Sequence, residues 1–241
     1  MQTLLFGFNA PMASFGTASK AKLRDTESRP TKSAILGMCA AALGYDREAA
    51  EQLGALYKLN VATWSTYGSK IFDYQTISAF DRARGTMTSF RRAQMTRHDM
   101  TTDNKVRKIF LTDVRVRVAI WADDEEGEAL LEQIVPALRE PVFNLYAGRR
   151  NCPISLMVPA EIVSTENPDA AMRDAFFREE ITPTDAPHIA TLDRSWTFYS
   201  DLYEGASGTR KTEFDQPVPG TPETMTLTRH VGREVLTYDH R

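Results

Sequence analysis

The sequence lacks the features expected of secreted, metal-binding or membrane-spanning proteins. Its 241 residues include only two cysteines, Cys39 and Cys152, too few for a disulfide framework or a cysteine-based metal cluster. No run of eighteen apolar residues is present, so the sequence predicts no membrane-spanning helix. Met1–Ala10 lacks the basic and apolar regions of a signal peptide, and we therefore expect a cytoplasmic protein.

Recognisable catalytic patterns are also scarce. The four histidines have no metal-ligand spacing, and no serine or cysteine lies in a nucleophile elbow. The acidic run Asp123–Glu126 is better explained by a helix start, where carboxylates interact favourably with the helix dipole. The sequence thus predicts no catalytic residue, no metal and no cofactor. The histidines are His98, His188, His230 and His240.

The overall composition fits a globular protein of one domain, with or without a small appendage. Hydrophobic residues make up 42% and charged residues 25% of the chain, which is enough to bury a real core. The formal net charge is −3, so the whole molecule does not attract nucleic acid. A nucleic-acid-binding function therefore has to rest on local clusters of positive charge.

The largest cluster of positive charge lies in the segment Ser78–Lys108. Only Asp81, Asp99 and Asp103 offset its cations, and the segment is too polar for a core and too long for an ordinary connection. It predicts a functional loop or an extended hairpin, although a charge run is also typical of a solvated surface. The eight cations are Arg82, Arg84, Arg91, Arg92, Arg97, Lys105, Arg107 and Lys108.

Cations also lie at the head of the clearest predicted helix, in the sequence Arg29–Ser33. Thr31 fits an N-cap, and Gly44 fits the end of the helix. The free N–H groups of a first helical turn, together with Lys32, suit a phosphate. The same residues equally fit a capped surface helix that binds nothing, so both interpretations stay open.

A third basic site is the predicted turn Tyr146–Pro153. Gly148 permits a tight turn, and Arg149 and Arg150 offer forked donors suited to phosphate. Tyr146 could stack on a base. An ordinary solvated turn would have the same composition.

The predicted elements indicate an α+β fold. Strand, helix, strand, basic insertion, strand, helix and strand follow one another, which is the β-α-β-β-α-β order of a ferredoxin-like (RRM-like) domain. We place this domain at residues 1–158, with the basic insertion at about 78–108. The predicted strands are Thr3–Phe8, Asn60–Thr66, Phe110–Trp121 and Val142–Tyr146, and the helices begin near Thr31, at Arg47 and after the acidic turn at 123–128.

The remaining residues, 159–241, are rich in proline and polar side chains. Short apolar and β-branched runs there predict a β-rich C-terminal region. The candidate strands are Thr191–Tyr199, Thr224–Arg229 and Arg233–Tyr238.

Several of these segments, taken in order, resemble the CasD ("Cas five") family of type I-E Cascade. Each motif is weak alone, and the specificity lies in their occurrence in the family's order across roughly residues 4–158. Past residue 160 only Arg229–Arg233 resembles the family. The motifs are Ala10–Gly16, Arg29–Gly37, Ala41–Gly44, Asp73–Thr76, Phe110–Asp113 and Tyr146–Pro153.

The resemblance implies a non-catalytic subunit of a CRISPR type I-E Cascade surveillance complex, acting in antiviral defence. Such a subunit binds and caps the 5′ handle of the crRNA. Its ferredoxin-like domain carries a long thumb hairpin, here the basic insertion, that packs against the neighbouring backbone subunit (CasC). It also contacts the large subunit (CasA) and so reaches target DNA indirectly, while a separate subunit processes the RNA.

The resemblance and the basic clusters together predict two groups of contact residues. The RNA-binding group is Met12, Arg29, Thr31, Lys32, Ser33, Tyr146, Arg149 and Arg150. The thumb group, which would contact RNA or a partner subunit, is Arg82, Arg84, Arg91, Arg92, Arg107 and Lys108.

Two alternatives remain open at this point. The first is a metal-independent endoribonuclease that processes precursor crRNA, for which Tyr74, His98 and Lys32 are the plausible residues. Gln75 argues against it, because relatives often carry histidine there and a neutral amide transfers no proton. The second is an adaptor protein whose basic insertion binds an acidic partner protein, and co-purification of RNA would separate it from an RNA-binding subunit.

Overall fold

The computed structural model describes residues 1–16, 23–77, 104–176, 196–203, 209–218 and 229–240. These residues form a mixed α+β structure in which helices cover a largely antiparallel sheet. The strands are β1 (Gln2–Ala13), β2 (Leu23–Arg24), β3 (Asn60–Thr66), β4 (Lys70–Ile77), β5 (Asn104–Trp121), β6 (Leu156–Ser164), β7 (Trp196–Asp201), β8 (Thr209–Val218) and β9 (Arg229–His240). The helices are α1 (Lys32–Leu43), α2 (Ala50–Lys58), α3 (Glu125–Arg139) and α4 (Pro168–Phe176).

The sheet runs in the order β6-β1-β5-β3-β7-β9-β8, and β2 and β4 also pair with β5. All of these pairs are antiparallel except β2 with β5. The prediction of an α+β fold is confirmed. The C-terminal strands extend the same sheet, and β6 contains both sides of the predicted boundary at residue 158, so the division into two regions stays a prediction.

Helix α1 forms where its local signals predict it. The Thr31 side chain accepts a hydrogen bond from the Ala34 N–H, which caps the first turn. Gly44 ends the helix in the left-handed region at φ 79°, a conformation that favours glycine. Between these two ends, Ile35 and Cys39 are fully buried against the sheet. The predictions for α2, β3 and α3 are likewise confirmed within a few residues, whereas β1 ends five residues after its predicted end and β5 begins six residues before its predicted start.

The predicted strand Val142–Tyr146 is wrong. The backbone N–H groups of Val142 and Phe143 donate to the carbonyl oxygens of Ala42 and Ala41 at 3.0 and 3.1 Å. The segment therefore satisfies the last carbonyls of α1, which have no partner within the helix, and does not pair in the sheet. The strand beside β1 is β6 instead.

Other C-terminal predictions have mixed outcomes. The described part of the run predicted at Thr191–Tyr199 is strand β7, and Arg233–Tyr238 lies within β9. The predicted strand at Thr224–Arg229 lies almost wholly outside the described residues. Helix α4 and strands β2, β4, β6 and β8 have no counterpart among the predictions.

Apolar side chains from β1 and β5 fill both faces of the sheet. Leu4, Phe6 and Val118 point to one face and pack with helices α1, α2 and α3. Leu5 and Trp121 point to the other face, where a smaller cluster includes Met172 of α4 and Phe198 of β7. Because alternate residues of a strand face opposite sides, two cores are built from the same strands.

Strands β3 and β4 pair one after the other with β5 and form one long hairpin with it. Thr66 pairs with Arg115 and Lys70 with Leu111, so the register is the same on both sides of the short interruption between β3 and β4. Asp113, opposite this interruption, has a positive φ of 49°. The ladder continues to the pair formed by Ile77 with Asn104. The predicted basic insertion therefore joins two paired strands, and its residues 78–103 lie outside the described part of the chain.

The head of α1 is tied to strand β7 by a buried ion pair. Lys32 Nζ lies 3.0 Å from Asp201 Oδ2, and the two side chains are only 4% and 8% exposed. Asp201 also accepts a hydrogen bond from the Val61 N–H at 2.8 Å. The guanidinium of Arg29 lies 3.5 Å from the centre of the Tyr199 ring. These contacts join β7 to the N-terminal half of the fold.

No helix in the described part of the chain is long and apolar enough to cross a membrane.

We predict that Lys32→Ala lowers the free energy of unfolding by about 3–5 kcal/mol, because it removes a buried cation that lies 3.0 Å from the buried carboxylate of Asp201. Urea denaturation measures the change. Lys58→Ala, at an exposed lysine in the last turn of α2, is the matched control and should shift stability by less than about 1 kcal/mol. A Lys32→Ala variant as stable as the control would contradict a structural role for this pair.

Candidate nucleic-acid interface

The turn Tyr146–Pro153 is fixed to the end of strand β1. The Ser14 N–H donates to the carbonyl oxygen of Ala147 at 3.1 Å, and the Ala147 N–H donates to that of Cys152 at 2.8 Å. Gly148 has a φ of 86°, and a Cβ there would lie 2.1 Å from the Ser14 carbonyl oxygen. The turn thus requires glycine both for its backbone conformation and for its close approach to β1.

Arg149 is held across the base of the hairpin. Its Nη2 donates to the carbonyl oxygen of Arg24 at 3.3 Å, and its guanidinium lies 5.3 Å from the centre of the Phe110 ring. Its Nη1 is buried and has no hydrogen-bond partner among the described residues. Burial lowers the pKa of Arg149, and the nearby positive charge of Arg24 lowers it further, with a smaller opposite effect from Cys152.

A lowered arginine pKa indicates that the charged form is disfavoured by its surroundings. An anion placed beside Arg149 and Arg24 would offset both the lost hydration and the repulsion between like charges. A phosphate oxygen is such an anion, and guanidinium groups bind phosphate in a forked geometry.

Two more cations, Lys108 and Arg150, border this position. Lys108 pairs with Arg24 in the parallel pairing of β2 with β5, and Arg150 is exposed in the turn itself. Lys108 Nζ donates to Gln75 Oε1 at 2.6 Å, and Asp73 lies opposite Lys108 on β4. We call Arg24, Lys108, Arg149 and Arg150 the turn cluster. Even with Asp73 and with Asp25, which follows Arg24 in the chain, the four cations leave the cluster with an excess of positive charge.

Met12 and Tyr146 lie near the same place. Met12 is half-buried in β1, two residues before Ser14, and Tyr146 is half-buried and forms an isolated bridge with Pro153. The structure therefore brings four residues of the predicted RNA-binding group to one region: Met12, Tyr146, Arg149 and Arg150.

The helix head is used differently. Thr31 is buried and caps α1, and the Ser33 hydroxyl lies 3.1 Å from the Thr31 hydroxyl. Lys32 and Arg29 are buried against Asp201 and Tyr199 of β7. The structure therefore does not bring these cations to the surface that carries the turn cluster, and their predicted contacts with RNA stay predictions.

The predicted thumb residues separate into two sides of the hairpin. Arg107 pairs with Tyr74 and Leu23, whereas the next residue, Lys108, pairs with Asp73 and Arg24. Side chains of directly paired residues share a face, and successive residues alternate, so Arg107 and Lys108 point in opposite directions. The other predicted thumb residues, Arg82, Arg84, Arg91 and Arg92, lie outside the described residues, as does His98 of the ribonuclease alternative.

Sequence reasoning missed Arg24 and Phe110 as parts of the site. Arg24 lies in a strand of two residues, which is too short to give a periodic signal. Phe110 reads as an ordinary core residue, and its contact with a guanidinium comes from a turn about forty residues further along the chain. Arg107 and Lys108 precede the predicted strand Phe110–Trp121, so their alternation along β5 was not available to separate the two faces.

Another partly buried arginine, Arg117, lies on the α4 side of the sheet. Arg117 Nη1 donates to Asn9 Oδ1 at 3.2 Å, and its guanidinium lies 5.6 Å from the Phe176 ring and 5.9 Å from the Trp196 ring. Burial lowers its pKa to about 10, and the positive charge of Arg115 contributes. Arg117 is held by one ring at the end of α4 and one at the start of β7, away from the turn cluster.

Within the described ranges, no three His, Cys, Asp or Glu side chains form a group able to hold a metal ion. The expectation that the protein uses no metal or cofactor remains a prediction.

A family comparison identifies the chain. The model of the family described as CRISPR-associated protein (Cas_Cas5) matches residues 3–232. The chain belongs to the Cas5 family. The match includes strand β1, the hairpin strands, the turn cluster and most of the C-terminal strands of this Cas5-family chain. No curated protein sequence matches the chain.

Two solved structures share the fold. One, titled "CRISPR RNA-guided surveillance complex", is 21% identical with a TM-score of 0.63, covering 98% of this chain and 89% of the other. Another, titled "Crystal structure of Cas protein", is 22% identical with a TM-score of 0.56, covering 99% and 93%. The similarity therefore includes the C-terminal region as well as the N-terminal domain.

We predict that Gly148→Ala destabilises the protein by about 1–3 kcal/mol, because alanine is strained at this positive φ and its Cβ would collide with the Ser14 carbonyl. Thermal or urea unfolding measures the effect. Gly37→Ala is the control, since a Cβ at this α1 position meets nothing within 4 Å. It should stabilise the helix by about 0.5–1 kcal/mol. Equal effects of the two changes would show that the turn tolerates a side chain.

Proposed function

We propose that this Cas5-family chain is a non-catalytic, RNA-binding subunit of a CRISPR type I-E Cascade surveillance complex that binds and caps the 5′ handle of the crRNA. The observation that carries the proposal is the turn cluster. Two arginines from distant parts of the chain are held together there, and the charged form of Arg149 is disfavoured by burial and by Arg24.

The fixed geometry of the cluster favours a phosphate ligand. Arg149 is positioned by its contact with the Arg24 carbonyl and the Phe110 ring, so little side-chain entropy is lost when an anion binds. Arg150 and Lys108 supply further positive charge along a nucleic-acid backbone. Met12, near the end of β1, and Tyr146, at the start of the turn, are only half-buried and would offer an apolar and an aromatic surface to bases.

The fold supports the same proposal. Strands β6, β1, β5 and β3 are neighbours in that order, and helices connect β1 with β3 and β5 with β6. This arrangement agrees with a ferredoxin-like (RRM-like) domain, a scaffold that many RNA-binding modules use. Fold alone does not imply function, so the weight of the proposal rests on the turn cluster.

The partners follow from the family and from the neighbour titled as an RNA-guided surveillance complex. We propose that the β4–β5 hairpin is the stem of the thumb, which packs against the backbone subunit CasC. A contact with the large subunit CasA would link the chain to target DNA indirectly. A cytoplasmic location belongs to the same proposal.

Charge reversal in the turn cluster tests the proposal. We expect Arg24→Glu combined with Arg150→Glu, both at exposed positions, to weaken binding of a handle RNA at least tenfold, because two phosphate contacts are replaced by repulsion. The slope of log affinity against log salt should also fall, by about 0.7 per lost contact with a single strand. Fluorescence anisotropy over a salt series measures both quantities.

The control for charge reversal is Arg47→Glu, at an exposed arginine in the connection between α1 and α2. It reverses one exposed charge away from the cluster, where the double variant reverses two, and should leave the salt slope unchanged. If the double variant binds the handle with the affinity and salt slope of the control, the turn cluster does not hold the RNA.

The ribonuclease alternative makes a different prediction. Tyr74 is 53% exposed on the hairpin, whereas Lys32 is buried in its ion pair with Asp201, which is an unfavourable arrangement for joint chemistry on one phosphate. We therefore expect the full chain to leave precursor repeat RNA intact in the presence of EDTA. Site-specific cleavage that Tyr74→Phe or His98→Ala abolishes would make the protein an enzyme.

A further inference from the structure

One face of the β4–β5 ladder carries exposed aromatic side chains that no core explains. Phe72 is 75% exposed and Tyr74 is 53% exposed. They are two residues apart on β4, so both rings project from the same face, about 7 Å apart along the strand. Leu23, which lies on this face beside Arg107, is 41% exposed.

The charged side chains described on this face are all positive. Lys70, Phe72 and Tyr74 occupy every second position of β4 and therefore share one face. Lys105 and Arg107 lie on the same face, because they pair with Thr76 and Tyr74. All three cations are exposed. Asp73 lies between the two aromatic residues on β4, so its side chain points to the other face. We call Lys70, Phe72, Tyr74, Lys105 and Arg107 the aromatic face.

We propose that the aromatic face is a second RNA-binding surface, on which Phe72 and Tyr74 stack with the bases of a single strand while the three cations neutralise its phosphates. Aromatic rings interleaved with cations bind single-stranded nucleic acid with little sequence preference, because every base has a π-face. The inference rests on the proposed function for the identity of its ligand, but on none of the residues of the turn cluster.

The chemistry of this surface favours RNA over a partner protein. Cores of protein interfaces are depleted in lysine, whereas two of the three cations here are lysines. An interface with an acidic protein would also not require two adjacent, highly exposed rings in line with the cations. The aromatic face and Lys108 of the turn cluster lie on opposite faces of the hairpin, so the two surfaces could bind separate stretches of one RNA.

Affinity for single-stranded RNA without the handle sequence tests the inference. The probe is a fluorescein-labelled uridine oligonucleotide of about 12 nucleotides, bound to the full chain at low salt and followed by fluorescence anisotropy. We expect Phe72→Leu combined with Tyr74→Leu to weaken binding roughly 10- to 100-fold, because leucine keeps the apolar area but cannot stack. The salt slope should stay unchanged, because no cation is removed.

Two further variants separate stacking from a general effect of exposed apolar residues. Phe72→Tyr keeps a ring and should keep the affinity within about twofold. Phe143→Ala removes an exposed aromatic residue of similar exposure (49%) outside the hairpin and should have no effect. Lys70→Gln combined with Lys105→Gln should lower the salt slope, which a purely apolar contact would not do.

The outcomes distinguish this inference from the proposed function. If the double leucine variant binds the uridine oligonucleotide as tightly as the wild type, the aromatic face is not a stacking surface, whether or not the handle RNA binds. If that variant instead loses a co-expressed backbone subunit while its RNA affinity is unchanged, the surface is a protein interface and the inference is overturned. If the wild-type chain binds the uridine oligonucleotide through its rings but fails to bind the handle, the inference stands and the proposed function falls.

Discussion

The backbone pairing of strand β5 positions the rest of the molecule. Its 18 residues bond to β1 and β3 in the C-terminal half and to β2 and β4 in the N-terminal half. The C-terminal half of β5 supplies core residues on both faces of the sheet. The N-terminal half forms the hairpin with β4. Both proposed RNA-binding surfaces depend on this one strand, because Lys108 belongs to the turn cluster and Arg107 to the aromatic face.

The buried ion pair between Lys32 and Asp201 gives the C-terminal region a structural role. A buried ion pair contributes little net stability compared with an apolar pair, but removing one partner is costly. Here the pair joins the first turn of α1 to a strand about 170 residues later, beside the stacking of Arg29 on Tyr199. The pair therefore favours one placement of β7 against the N-terminal half, since any other would leave a charge buried alone.

Local signals in the sequence predict the local structure well. Thr31 and Gly44 define helix α1, and alternation defines the core face of β5, because capping and strand periodicity depend only on near neighbours. The sequence could not show that Lys32 and Arg29 point into the molecule, because their partners are distant in the chain. The same limit explains the error at Val142–Tyr146, whose β-forming residues bond to the end of α1. Of the candidate site, the glycine turn was predictable, whereas Arg24 was not.

The uninterrupted register of the long hairpin limits how its length can change. Gly68, Ser69 and Thr112 bridge the interruption between β3 and β4 with backbone hydrogen bonds, and the pairing resumes without a slip. A single inserted residue in the stem would rotate every side chain beyond it to the opposite side. It would therefore exchange the rings of Phe72 and Tyr74 with the carboxylate of Asp73 and the amide of Gln75, which alternate with them along β4. A change in the number of residues between positions 77 and 104 leaves this alternation unaltered, so the chemistry of the stem does not depend on the length of that segment.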